Sequence, residues 1–124
     1  MTDKSHRESQ ERPPIDVYVA APYSHQDTSV RLHRFNQAAA YTAILSRRMI
    51  LVYCPICHGH PLAAHNLPTN WEYWANLNRA ILQICRNLHV LCLDGWKDST
   101  GVAAEIAIMM GLDRGVHYIE NPQQ

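Results

Sequence analysis

The hydrophobic pattern of the chain changes period several times, and each change marks an element. Residues 15–20 form a short apolar run with β-branched side chains, the pattern of a buried strand. Ala21-Pro22-Tyr23-Ser24 breaks it. From Val30 to about Arg48 the period becomes helical, with Leu32, Phe35, Ala38, Ala39, Thr42 and Leu45 on one face and Thr28 or Ser29 placed to cap the start. Residues 49–53 read as a second short strand. Residues 54–69, punctuated by Pro55, Pro61 and Pro68, read as a long loop. Thr69 and Glu72 then have capping-box spacing, and Trp71, Trp74, Leu77, Ala80, Ile81, Ile84 and Cys85 carry a second helix to about Arg86. Residues 88–93 are a nearly all-apolar third strand, which belongs at a sheet centre. A polar turn over 94–100 leads into a third helix over 101–112, and residues 115–119 make a last strand.

Alternating strands and helices imply a parallel sheet with right-handed crossovers. The economical strand order is 2-1-3-4. The expected architecture is therefore α/β, a three-layer Rossmann/flavodoxin-like fold with a mainly parallel sheet of four to five strands. In such a sheet ligands bind beyond the carboxyl ends of the strands, where the winding direction reverses. That predicts a site between strands one and three, bounded by the loops 21–26 and 94–100.

Composition narrows the picture. At 124 residues, 47% hydrophobic and 18% charged, the chain suits one globular domain, expected over residues 15–124 after a disordered tail at 1–14. Lys plus Arg and Asp plus Glu balance at 11 each, so overall charge gives no reason to expect nucleic acid or an anionic membrane as partner. No apolar run approaches the roughly 18 residues of a membrane helix. The polar N-terminus has no signal-peptide core, so the expected location is cytoplasmic and the four cysteines are expected as reduced thiols.

Glu105 is the most informative residue. The other ten residues of the segment 102–112 are apolar or glycine. At helical spacing Glu105 shares its face with Val102, Ile108 and Met109, so either this carboxylate is buried with a raised pKa or a dedicated donor, or it faces solvent from a weakly amphipathic helix. Upstream, Asp98 and Ser99 sit at the start of the same helix, where backbone amides attract anions. Paired carboxylates suit glycosyl transfer, one attacking the anomeric carbon and one managing protons; a capped turn with a solvated Asp explains the same residues. The first strand alternates Tyr18 with the small Ala20, and Ala20, Ala21, Pro22 and Tyr23 lead to the predicted site, where Tyr23 is placed to stack on a base.

Together, residues 18–23, the segment Asp98-Ser99-Thr100-Gly101-Val102-Ala103-Ala104-Glu105-Ile106 and the later Gly111 resemble the nucleoside 2-deoxyribosyltransferases and the related 2'-deoxynucleoside 5'-monophosphate N-glycosidases. From Ile15 onward the chain also resembles a small bacterial family of uncharacterised domains (DUF1937-like) placed in that superfamily, whose pattern includes Pro55, His58, His60, Pro61, Trp71, Glu72, Trp74 and Asn78. The resemblance implies Glu105 as nucleophile, Tyr18 as its hydrogen-bond partner and Ser99 as the phosphate contact of the monophosphate hydrolases. Asp98 matches the transferases' Asp one residue out of register. A further superfamily Asp falls at Asn78, which can hold a hydroxyl or a base edge but cannot act as a general acid. His58 and His60 are the candidates to take that role. Ala20, Pro22, Tyr23, His58, His60, Ser99 and Gly101 are the expected substrate contacts.

The function expected is cleavage or transfer of the N-glycosidic bond of a (deoxy)nucleoside or nucleoside 5'-monophosphate, with no cofactor. A non-catalytic nucleotide-sensing module with the same pocket is the alternative. Cys54-Pro55-Ile56-Cys57-His58 has the spacing of c-type haem attachment, which would need export, and Cys54, Cys57, His58 and His60 include zinc-ligand types at spacing that fits poorly; no metal site is expected. Arg31 and Arg34, in the first turns of helix one, meet either a phosphate or solvent. Trp71 and Trp74 share a helix face suited to core or subunit packing more than to base stacking. The apolar third helix and the Trp-rich second helix lead to the expectation of a homo-oligomer, dimer or tetramer.

Overall fold

The computed structural model describes residues 12–122; the remainder of the expected N-terminal tail, residues 1–11, lies outside the described residues. Four strands, β1 (Ile15–Ala20), β2 (Val52–Tyr53), β3 (Cys85–Leu91) and β4 (Gly115–Ile119), form one parallel sheet in the order β2-β1-β3-β4. Four helices, α1 (Thr28–Arg47), α2 (Pro55–Ala63), α3 (Trp71–Gln83) and α4 (Thr100–Gly111), cover its two faces. The α/β fold and strand order are those expected from the alternation.

Strand alternation divides the core. Val17 and Val19 of β1 and Leu91 of β3 pack with Ala38, Tyr41 and Leu45 of α1 and Ile56 of α2. On the other face Tyr18 and Ala20 pack with Leu88 and Val90 of β3, Leu82 of α3, and Val102 and Met109 of α4. Tyr18 therefore points towards α4, because a strand sends successive side chains to opposite faces. In register Tyr18 lies opposite Tyr53 on β2 and Leu88 on β3, at the middle of the sheet.

Five local features differ from the sequence reading, each for its own reason. The segment 54–69 is not a continuous loop: Pro55 takes the first position of α2, where a missing amide costs nothing, and the helix runs past Gly59 to Ala63. Asp27, rather than Thr28 or Ser29, caps α1, its carboxylate accepting the Ser29 amide at 2.8 Å. The Thr69–Glu72 capping box does not form; the cap position of α3 is Asn70, whose side-chain amide donates to Glu72 at 3.0 Å. Cys85 is already in β3, opposite Ile15, so α3 stops at Gln83 and one residue, Ile84, makes the turn. At the other end of the sheet, Met49 adopts a positive φ of 63° after α1 and shortens the second strand to two residues.

No helix among the described residues is long and apolar enough to cross a membrane.

Candidate functional site

The β1 and β3 exits diverge where the winding reverses, and a cavity of about 560 Å³ opens between them. Its walls come from the 21–25 loop, the first turns of α2, the start of α3, and the Gly95–Gly101 turn into α4. Glu105 and Asn78, only 4% and 6% exposed, reach it from α4 and α3 and form its floor.

Glu105 stands in the second turn of α4 on the stripe that buries Val102 and Met109. Tyr18, fully buried, donates its hydroxyl to Glu105 Oε2 at 2.5 Å. Loss of water raises the Glu105 pKa from 4.5 to about 8, against the opposing pull of the Tyr18 hydrogen bond. The Tyr18 pKa is itself held well above its usual range, by burial first and by the Glu105 charge second. Tyr18 thus stays a donor across the pH range in which Glu105 titrates. Its bond engages Oε2, so Oε1 is the oxygen left for a ligand. A carboxyl with this pKa can attack carbon when ionised or deliver a proton when neutral.

The turn before α4 supplies different chemistry. Gly95, at a positive φ of 86°, starts a single 3-10 turn (Trp96–Asp98), which leaves Asp98 exposed on the cavity wall. Ser99 caps α4, its Oγ accepting the Val102 amide at 3.2 Å. A hydroxyl can donate while it accepts, so Ser99 can still give its proton to a ligand oxygen. Thr100 and Gly101 line the same wall, and the amides of a helix's first turn have no acceptor within the helix. This edge of the cavity is shaped for an anionic or oxygen-rich group.

The opposite wall is aromatic. Tyr23 Oη lies 2.6 Å from His60 Nδ1, and the Phe35 ring stacks on the imidazole at a centroid distance of 4.2 Å. Burial, then the nearby Arg31 charge, lowers the His60 pKa, so the ring is neutral at neutral pH. With Tyr23 donating to Nδ1, the His60 proton sits on Nε2. Trp71 and Trp74 also line the cavity, and Trp74 is fixed by its indole N–H to the Pro68 carbonyl at 2.8 Å.

Of the expected site residues, Glu105, Asn78, Asp98, Ser99, Gly101, Pro22, Tyr23 and His60 share this cavity. Tyr18 sits behind Glu105, outside the lining, and reaches the cavity only through its hydrogen bond to that carboxylate. Ala20 is fully buried on the face towards α4, one position below the cavity wall, which begins at Ala21. His58 is exposed and meets the edge of Trp74 from outside the lining residues. Cys54, Cys57 and, through its stack on Phe35, His60 pack towards α1, whereas His58 turns away to the edge of Trp74. Among the described residues no three His, Cys, Asp or Glu side chains gather as a metal site would require.

Arg34, which the sequence left between a phosphate and solvent, lines the cavity and also makes contacts that no spacing signalled. Its guanidinium donates to the Ser24 carbonyl at 3.1 Å, more weakly to that of Tyr23 at 3.4 Å, and to the Asp94 carbonyl at 3.0 Å. It therefore ties the β1 exit to the β3 exit. Arg31 likewise donates to the His25 carbonyl and lies against the Tyr23 hydroxyl.

No curated protein matches the chain. The family described as "Domain of unknown function (DUF1937)" matches residues 15–121. That span holds all four strands and all four helices, and the chain belongs to this family.

Proposed function

We propose that the protein cleaves or transfers the N-glycosidic bond of a (deoxy)nucleoside or nucleoside 5'-monophosphate, with Glu105 as nucleophile. The observation that carries this reading is a buried carboxylate, held through one oxygen by Tyr18, on the floor of a cavity at the switch point of a parallel sheet. The likeness of the segments around Tyr18 and Glu105 to the nucleoside deoxyribosyltransferases and nucleotide N-glycosidases supports it.

In this reading Glu105 Oε1 bonds to the anomeric carbon as the bond from that carbon to the base nitrogen breaks. The electron pair leaves with the base, which takes up a proton. Water then attacks the anomeric carbon and gives up a proton, Glu105 is released, and free sugar and free base result; a second base in place of water gives a new nucleoside. Positive charge develops on the sugar ring and favours the ionised carboxylate beside it. Tyr18 fixes the carboxylate plane, Asn78 and Asp98 contact sugar hydroxyls or the base edge, and Trp71, Trp74 and Tyr23 supply aromatic surface for the base. Ser99 with the Thr100 and Gly101 amides takes a 5'-phosphate where one is present.

One observation favours a second reading. The carboxylates besides Glu105 on the cavity wall, Asp98 and Glu72, are exposed, and the other buried polar side chain on the floor is Asn78, which cannot protonate a leaving base. A nucleotide-sensing module would need no such acid. Incubation with a panel of nucleosides and 5'-monophosphates, followed by detection of free base, separates the two. Base release that disappears in Glu105→Gln supports the enzyme; tight binding of the same ligands with no release supports the sensor.

A homo-oligomer belongs to the same proposal. Met110 of α4 and Tyr73 and Leu77 of α3 are exposed apolar side chains on the helices that flank the floor. Light scattering at micromolar concentration tests it, and a mass of one 14.2 kDa chain rules it out.

A further inference from the structure

The first turn of α2 carries two cysteines for which the proposed glycosidic chemistry has no use. Cys54 occupies the cap position of α2 and Cys57 the third helical position, with Pro55 and Ile56 between them. Both are free thiols; Cys54 is 3% exposed, whereas Cys57 is only partly covered. They stand one helical turn apart and both pack towards α1, where Thr42 interacts with each. Two thiols in a Cys-x-x-Cys at a helix start are a recurrent arrangement for reversible disulfide formation, because one turn of helix brings the sulfurs within bonding reach and the helix N-terminus favours a thiolate.

We propose that Cys54 and Cys57 form a thiol–disulfide exchange site whose co-substrate is a low-molecular-weight disulfide. Cys57, the accessible thiol, attacks as thiolate: its sulfur bonds to one sulfur of the small disulfide, that S–S bond breaks, and one small thiol leaves with a proton. Cys54 then gives up its proton and attacks the Cys57 sulfur, and the second small thiol departs. The small disulfide gains the two electrons that the protein dithiol loses.

The division of roles follows from the surroundings. The Cys57 pKa is drawn down to about 7, first by the hydrogen bond from Cys54, against the effect of burial. Cys54 moves the other way, well above its usual range, through the same interaction and its burial. The other two cysteines provide internal controls. Burial pushes Cys85 up to about 12 and its thiol donates to the Ile81 carbonyl, and Cys92 is also raised, chiefly by burial. Pro55 and Ile56, enclosed between the paired thiols, line the cavity, so the disulfide would lie directly behind that wall.

The test uses the reduced full chain in buffers of stepped glutathione to glutathione-disulfide ratio, quenched with acid, alkylated and mapped by mass spectrometry. The expected result is a two-hydrogen mass loss confined to the peptide holding Cys54 and Cys57, reversed by excess reduced glutathione, with Cys85 and Cys92 still alkylated. Cys54→Ser should accumulate one glutathione on Cys57, and Cys57→Ser should lose the reaction. The titration of the parent chain stands without the variants should either fail to fold. A parent chain that holds a stable glutathione adduct, oxidises all four cysteines alike, or stays reduced in excess glutathione disulfide overturns the proposal.

Discussion

Two loops leave the carboxyl edge of the sheet beside the same cavity, and they differ in how openly the sequence displays them. The turn from β3 into α4 shows its chemistry at once, because a single carboxylate in an otherwise apolar helix must be either exposed or accounted for. Burial of an ionised carboxylate is costly, so such a residue stands out against its neighbours. The segment after β2 hides its structure. Pro55, Gly59 and Pro61 all argue against a helix one at a time, yet residues 55–63 form one. Pro55 is harmless at the first position, Pro61 falls in the last turn, and packing of Ile56 into the core outweighs the weak local propensity. A buried charge is a strong sequence signal because its cost is large and local. A short helix held by tertiary contacts is a faint one.

The largest test of this contrast is Glu105→Gln. The change is nearly isosteric and should leave the fold intact while base release falls by roughly a thousandfold or more, the scale seen when a nucleophile is removed. Unchanged turnover in the variant would remove Glu105 from the mechanism. In the parent, kcat/KM should rise with pH to a plateau with an apparent pKa near 8, because the ionised carboxylate is the attacking form.

The same burial makes the fold sensitive to pH in a direction that can be worked out. Glu105 titrates near 4.5 in the unfolded chain and near 8 in the folded one, so between these values the native state holds a proton that the unfolded state has lost. Stability contributed by this group is fully present below about pH 4.5 and is lost as pH rises through 8, by an amount on the order of 5 kcal/mol. Denaturant titrations of parent and Glu105→Gln across that range should diverge, with the variant the more stable at the alkaline end. Parallel curves would mean that Glu105 is not desolvated.

Two smaller effects probe the turn and the hidden helix separately. Ser99→Ala removes the α4 cap and should cost about 1 kcal/mol of stability. It should also weaken 5'-monophosphates while sparing nucleosides; equal affinity of the parent for both ligands rules out a phosphate site there. Gly59→Ala places a methyl group 3.9 Å from the Trp74 ring, an ordinary contact, inside a helix. It should stabilise the protein by about 0.5–1 kcal/mol. A neutral or negative change in thermal unfolding would contradict a helix at this position.

Much of the frame was legible because it depends on periodicity. Strand order and the switch-point location follow from runs of apolar residues and the breaks between them, whereas the apolar neighbours of Glu105 left it either buried or facing solvent, and the fold buries it. The pairing of Tyr18 with Glu105 was not, since 87 residues separate them and no spacing rule spans that distance; it came from the resemblance alone. The tie made by Arg34 was also invisible, because its acceptors are backbone carbonyls, which every residue carries. Asp27 escaped notice as a cap because two other good cap residues, Thr28 and Ser29, follow it directly.

The Arg34 tie has an entropic consequence. Loops that flank a crevice usually lose conformational freedom when a ligand arrives, and that loss subtracts from affinity. Here one guanidinium already restrains both sides of the crevice through the Ser24 and Asp94 carbonyls, and the ordering belongs to folding rather than to binding. A ligand entering the cavity meets a rim that is already set, and less of its contact energy goes into ordering the loops around it.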